Sequence, residues 1–252
     1  MNAVAANAPS TLRVYASEVR FEALRLLRTR SFVLPTLLFP LMFYLLFGVM
    51  LNHGDAQAKA YLMASYSVFG VMGPGLFGFG VSLALDRERG LLTLKRALPV
   101  PAGAPLAARM VMAMGFALCV GVLLLAAGRL LGGVSLSPAQ MSALLLVDLL
   151  GVLPFCALGL LVGSLVGGSG APAVVNMLYL PMSLLSGLWL PLSMLPGFFN
   201  RVAPLWPAWH LGQLALKVVG QDDGHAGWLH VAVLAAWTAV CSALAARRLR
   251  RG

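Results

Sequence analysis

Charged residues are scarce in this chain of 252 residues: they make up 10% of it, while hydrophobic residues make up 60%. A soluble domain of this length carries roughly 25% charged residues to cover its surface. The mean hydropathy of +0.88 points the same way. The composition therefore excludes an ordinary soluble domain and predicts a membrane protein.

Cysteine is rare as well, and Cys119, Cys156 and Cys241 all lie in apolar runs, where they are expected to pack rather than to form disulfides or bind metal. No lysine follows a glycine anywhere, which excludes the Gly-x-x-x-x-Gly-Lys-Ser/Thr loop that cradles ATP phosphates. The sequence also lacks paired carboxylates and clusters with metal-ligand spacing. We therefore expect the chain to bind no cofactor, and any energy to come from a partner or an ion gradient.

Six apolar runs are each long enough to form a helix that crosses the roughly 30 Å hydrocarbon core of a bilayer. They are too long and too evenly apolar for the strands of a membrane barrel. The sequence thus predicts an all-α membrane protein whose residues 1–252 form a single domain. The six predicted spans are Phe32–Leu51, Leu62–Leu85, Leu106–Gly128, Met141–Val166, Ala171–Leu190 and Trp228–Ala246.

The basic residues predict an orientation, because lysine and arginine near span ends collect on the cytoplasmic side. Five precede the first span, five lie between spans two and three or at the start of span three, and four follow the last span. Only Lys59, Arg129, Arg201 and Lys217 fall on the opposite side. Both termini are therefore predicted to be cytoplasmic. The net charge of +10 follows from these residues, and no basic groove suggests nucleic acid as a partner.

Residues 10–30 are predicted to form an amphipathic helix that lies in the membrane interface, in contact with lipid; a solvated basic arm is the alternative. One face holds Leu12, Tyr15, Val19 and Leu26, and the charged residues, Glu22 among them, are placed on the rest.

Residues 86–105 form the longest predicted cytoplasmic connection. It opens with charges, continues with several leucines and ends at prolines. A plain connector needs no such leucines, so we expect a short helix that docks on a partner, with simple interfacial packing as the alternative. The residues expected to carry this docking are Glu88, Arg89, Gly90, Leu91, Leu94 and Leu98.

Residues 191–227, on the outer side, are moderately apolar but broken by prolines, so neither half is long enough to span. Irregular backbone at membrane depth is tolerated only where protein or water covers it. A re-entrant pair of helices between spans five and six is the expected solution.

Two of these stretches resemble the permeases of bacterial ABC-2 type transporters. The inner loop, with Glu88-Arg89-Gly90-Leu91 and Leu98-Pro99-Val100-Pro101, is similar to the loop of that family. The outer stretch is similar to the family signature, apart from Lys217, where an arginine is often found. The residues that carry this outer resemblance are Asn176, Pro181, Ser186, Gly187, Pro191, Pro196, Pro207 and His210.

The resemblance implies a permease subunit of the bacterial inner membrane that dimerises with a second copy or a paralogue. It implies a separate cytoplasmic ABC ATPase that binds ATP and Mg²⁺. Residues 86–105 would be the coupling loop seated in that ATPase, residues 10–30 the connecting helix, and the substrate would pass between the permease halves. A mostly apolar bundle favours a drug, lipid or other amphiphile as substrate. The alternative is a self-contained secondary transporter or small channel.

That alternative would use Asp148, the only acid inside a predicted span, as its ion site. A carboxylate at mid-membrane costs about 2.5–3.5 kcal/mol and should face the bundle interior. We expect it to pair with Arg129, with proton coupling or substrate contact as the other interpretations.

Gly159, Gly163 and Gly167 recur every fourth residue, which favours close packing with another helix of this chain or with a second copy. Gly167-Gly168-Ser169-Gly170 also matches the Gly-x-Ser-Gly of rhomboid proteases, but the predicted topology puts three of the four histidines, His210, His225 and His230, across the membrane from Ser169. A tight turn is the better interpretation.

Overall fold

In this computed structural model the described residues are 10–52, 54–91, 94, 101 and 103–251. Within them the chain is helical, and no strand occurs. The helices, numbered here in chain order, are α1 (Thr11–Arg28), α2 (Arg30–Met50), α3 (Ala56–Glu88), α4 (Ala104–Leu130), α5 (Pro138–Leu165), α6 (Ala171–Leu185), α7 (Gly197–Val202), α8 (Pro207–Val218) and α9 (Gly227–Arg251).

Five of the described helices, α2, α3, α4, α5 and α9, are long and apolar enough to cross a membrane. The predicted fifth span, Ala171–Leu190, is shorter than expected: α6 ends at Leu185 after 15 residues. Such a helix is about 22 Å long, less than the hydrocarbon thickness. The helix stops because Ser186 leaves the helical geometry and Gly187 adopts a φ of 74°, a value that glycine tolerates best.

Helix α3 forms the centre of the bundle and is the most buried of the five. Its 33 residues reach about 50 Å, so it extends beyond a bilayer core. Between Pro74 and Val81 the helix widens to π-type turns. The second half of α5 packs there, because glycines on both helices allow the backbones to approach. A Cβ added at Gly159 would lie 2.6 Å from the carbonyl oxygen of Gly75, and one at Gly163 would lie 2.5 Å from that of Gly80.

The stretch after α6 is built of short pieces. Two prolines, Pro191 and Pro196, immediately precede a single turn at Leu192–Met194 and the six-residue α7. Helix α8 then packs against α3, α5 and α9 with most of its residues buried. The polar backbone after α6 is tied to α3, since the hydroxyls of Tyr61 and Tyr66 donate to the carbonyl oxygens of Gly187 and Trp189 at 3.2 and 3.1 Å.

Helix α1 forms as expected and packs against α4. Its buried residues are Leu26, from the predicted apolar face, and Glu22, from the charged remainder of the helix. Leu12 and Leu27 of the predicted apolar face are 80% and 60% exposed. The amphipathic pattern therefore predicted the helix, but it did not reveal that Glu22 is buried beside Arg109 of α4.

Candidate functional site

Four charged side chains from three helices meet at the end of the bundle that holds α1. Asp86 lies in the last turn of α3, Arg109 in the second turn of α4, and Glu22 and Arg25 on α1. We call them the stem cluster, because Asp86 and Arg109 lie on the two helical stems of the 86–105 loop. The sequence prediction put Asp86 in the loop, but it is helical and buried.

The stem cluster is held by hydrogen bonds and ion pairs among three buried groups, Glu22, Asp86 and Arg109, and the partly exposed Arg25. The guanidinium of Arg109, 5% exposed, donates to Oδ2 of Asp86 and lies 3.6 Å from Oε1 of Glu22. Arg25 donates to both carboxylate oxygens of Asp86 at 3.3 Å and to Glu22 at 3.5 Å. Two positive and two negative charges balance, so the cluster avoids the cost of an unpaired buried ion.

The end of α3 is also tied to α5 and to the turn that follows it. Arg87 donates from Nη1 to the carbonyl oxygens of Gly163 and Ser164 at 3.0 and 2.7 Å. These carbonyls belong to the last turn of α5, where a cation is favoured by the helix dipole. Glu88 accepts a hydrogen bond from the backbone N–H of Ser169 at 3.2 Å. This end of α3 therefore links α1, α4 and α5.

Helix α3 ends just before Arg89 and Gly90. Gly90 has a φ of 70°, the left-handed value that ends helices, and Arg89 before it is exposed. Leu91 and Leu94 are 38% and 60% exposed. Leu98, also predicted to dock on a partner, lies outside the described residues. Both described leucines of this loop therefore expose apolar surface, Leu94 more than Leu91.

Asp148, predicted to pair with Arg129, does not do so. Asp148 is fully buried on α5, and its Oδ1 accepts a hydrogen bond of 3.0 Å from the hydroxyl of Ser67 on α3. Its Oδ2 has no hydrogen-bond partner among the described residues and lies beside Gly121, where a Cβ would approach to 2.6 Å. Arg129 is exposed near the end of α4. The predicted pairing was wrong because a serine hydroxyl can also donate to a buried carboxylate, and an uncharged partner of this kind gives no charge signal in the sequence.

The glycine stripe divides between two roles. Gly159 and Gly163 contact α3 of the same chain, as described above. Gly167 lies past the end of α5, in the turn that leads to α6, and its Cβ position would be 3.9 Å from Glu88 Oε2. Ser169 lies in the same turn. The stripe was expected to pack either within this chain or against a second copy. The contacts of Gly159 and Gly163 are with α3 of the same chain.

The residues of the outer resemblance do not all lie together: Ser186, Gly187, Pro191 and His210 line one cavity, and Asn176 and Pro181 are not part of its wall. Asn176 and Pro181 are exposed on α6, whereas Ser186 and Gly187 are buried where that helix ends. His210 is buried on α8, and its Nδ1 lies 3.0 Å from Nδ1 of His230 on α9. Its other nitrogen, Nε2, lies 2.9 Å from the carbonyl oxygen of Pro204.

A cavity of about 590 Å³ opens beside His210, between α3, α8 and the segment after α6. Its wall includes Ser186, Gly187, Gln213, Asp222 and Asp223. Burial lowers the pKa of His210. The ammonium of Lys217, 2.9 Å from Oδ2 of Asp222, lowers the pKa of that carboxyl. The cavity is in the size range of small-molecule sites.

The stem cluster was missed by sequence reasoning, which used its residues only to assign orientation. One signal was present: Arg109 stands alone near the start of an otherwise apolar run, and a charge in that position needs a partner. The identity of that partner was not readable, because Glu22 and Asp86 are 87 and 23 positions away, and only helix packing brings them together.

Comparison with known proteins defines a class, the multi-pass membrane subunits of transporters. The model of the family described as "ABC-2 type transporter" matches residues 16–219 of this chain. A protein of Bacillus subtilis (strain 168) named "Putative transport permease YvfS" is 30% identical over 220 residues, which cover 86% of this chain and 89% of that protein. The chain belongs to the ABC-2 type transporter family.

Proposed function

We propose that this chain is the membrane permease of a two-component exporter in the bacterial inner membrane, driven by ATP hydrolysis in a separate cytoplasmic ABC subunit. In this proposal residues 1–252 form one transmembrane domain with six spans, the short α6 being the fifth, and both termini are cytoplasmic. The transported compound is a drug, lipid or other amphiphile. ATP and Mg²⁺ bind to the partner subunit.

The observation that carries this proposal is the stem cluster below the exposed leucines. Residues 86–105 act as the coupling loop, and Leu91 and Leu94 dock on the ATPase. Both stems of the loop, at Asp86 and Arg109, are joined to each other and to Glu22 and Arg25 of α1. A buried ion network resists separation, because breaking it leaves an uncompensated charge. Displacement of the loop is therefore passed to α3, α4 and α1 together.

Two further assignments complete the proposal. Residues 10–30 are the connecting helix, whose exposed Leu12, Phe21 and Leu27 contact lipid. Residues 191–227 form the outer re-entrant region. The permease works as a dimer with a second copy or a paralogue, and the substrate crosses between the two subunits.

The test is to purify the permease in mild detergent and to identify the subunits that come with it by mass spectrometry. The ATPase is recognised among them by its Walker A motif. Replacing Leu91 and Leu94 by glutamate is expected to abolish its recovery while the permease still inserts in the membrane. Leu131, 59% exposed at the opposite end of the bundle, provides a control close to the 60% exposure of Leu94. Equal recovery from the Leu91/Leu94 variant and the Leu131→Glu variant would remove the docking role.

Topology is tested separately by cysteine labelling in intact cells. A cysteine at Leu94 is expected to resist a membrane-impermeant reagent, while one at Leu131 reacts. Reaction at position 94 would reverse the orientation and contradict the coupling role. The secondary-transporter alternative predicts transport by the purified chain without an ATPase, which the proposal excludes.

A further inference from the structure

The outer cavity beside His210 has a wall that carries negative charge. Among its described lining residues Asp222 and Asp223 are acidic, and none is lysine or arginine. Lys217, outside the wall, compensates Asp222 through its ammonium group at 2.9 Å. The charged neighbour of Asp223 is at most a histidine, His225, whose Nδ1 lies 2.8 Å from Oδ2. With neutral histidines the local balance is one negative charge.

The histidine pair adds to this polarity through its tautomers. A carbonyl only accepts, so His210 must donate from Nε2 to Pro204, and its Nδ1 becomes an acceptor. His230 must then donate from Nδ1, which leaves the lone pair on its Nε2. That buried nitrogen has no hydrogen-bond partner among the described residues and lies 3.9 Å from Oδ1 of Asp223. Oδ1 of Asp223 accepts a hydrogen bond of 3.0 Å from the backbone N–H of His225, whereas the lone pair on Nε2 of His230 has no donor among the described residues.

Other parts of the wall suit a ligand rather than bulk water alone. The hydroxyl of Ser186, a residue 5% exposed, makes no hydrogen bond within the described chain. Leu188, Leu192 and Leu216 line the cavity as apolar surface. Small-molecule sites combine mostly apolar walls with a few polar groups that fix orientation. Among the described residues no three His, Cys, Asp or Glu side chains are placed to hold a metal ion, and the apolar wall suits a cation that carries a hydrocarbon group.

We propose that the outer cavity binds an organic compound with a primary ammonium group and a short apolar tail. The ammonium, a donor without lone pairs, lies at Asp222 and Asp223, and the tail lies along Leu188, Leu192 and Leu216. The site belongs to one subunit and needs neither ATP nor the ATPase. This proposal rests on the proposed transport function and adds a ligand class to it. It is tested by binding alone, so failure of the binding test and failure of the transport function are distinguishable.

The experiment is calorimetric titration of the purified chain in nanodiscs of phosphatidylcholine, with hexylammonium, hexanol and hexanoate as probes of equal tail length. A charge-assisted hydrogen bond adds roughly 1.5–3 kcal/mol, so hexylammonium is expected to bind at least about tenfold more tightly than hexanol. Hexanoate should bind weakest. This comparison uses the unaltered chain and does not depend on the folding of any variant. Equal affinity for the three probes would overturn the proposal.

Variants then place the site. Asp222→Asn and Asp223→Asn are each expected to weaken hexylammonium binding about tenfold and leave hexanol binding unchanged. Asp223→Glu keeps the charge and should retain the preference. Asp55→Asn is the matched control, since Asp55 is an outer carboxylate at the start of α3 that does not line the cavity, and asparagine also caps helices. A preference that survives in Asp223→Asn, or is lost equally in Asp55→Asn, would refute the site.

Discussion

Replacing Arg109 by methionine tests the stem cluster most directly. Methionine fills a similar volume but removes the guanidinium that binds Asp86 and faces Glu22. Removing one partner of a buried ion pair costs about 3–5 kcal/mol. Arg25 still binds Asp86 at 3.3 Å, so we expect the low end, about 3 kcal/mol. This corresponds to a change on the order of 100-fold in the unfolding equilibrium.

The assay is unfolding of the purified chain in mixed micelles by increasing dodecyl sulfate, followed by circular dichroism. Arg25→Met should cost less than about 1 kcal/mol, because that side chain is 41% exposed and its ion pairs are screened by solvent. Arg201→Met is a control for the loss of an exposed arginine. Combining Arg109→Met with Asp86→Leu replaces the pair by apolar groups and should recover most of the loss. If Arg109→Met costs no more than Arg201→Met, the network contributes nothing and the coupling argument fails.

Two other substitutions test the interior of the bundle. Asp148→Asn should leave transport intact, because an amide still hydrogen-bonds Ser67; loss of transport at normal expression would instead favour ion coupling. Gly159→Leu should destabilise the bundle by about 1–3 kcal/mol or more, since its Cβ would meet backbone of α3 at 2.6 Å. Gly115→Leu, with open space around it, serves as the matched control in the same dodecyl sulfate titration, and an equal loss there would argue against the close contact.

The helices themselves were largely readable from the sequence. Apolar runs predicted all five long helices, because a chain in hydrocarbon must satisfy its backbone within each helix, and a helix that crosses the membrane needs about 20 consecutive apolar residues. Predicted and observed ends differ most for α3, which begins six residues earlier than expected, at Ala56. Asp55 caps it there through a hydrogen bond to the N–H of Ala58, a polar extension that hydropathy does not detect.

The candidate site was only partly predictable. The exposed leucines of the 86–105 loop stood out because a plain connector does not need them. The environment of Asp148 could not be predicted, because a buried carboxylate can accept a hydrogen bond from a hydroxyl as well as from an arginine. The same holds for the end of α6: Gly187 was noted in the sequence as part of a family resemblance, not as the residue that stops the helix.

The sequence by itself determined the class of this protein, because composition decides whether a chain is stable in water or in lipid, and apolar length decides where it can cross. Only the tertiary structure decided which polar groups meet. Glu22, Asp86 and Arg109 come together from three helices. His210 of α8 contacts His230 of α9. Such contacts depend on how helices rotate and pack against one another, and that geometry is set by many side chains at once rather than by any local pattern.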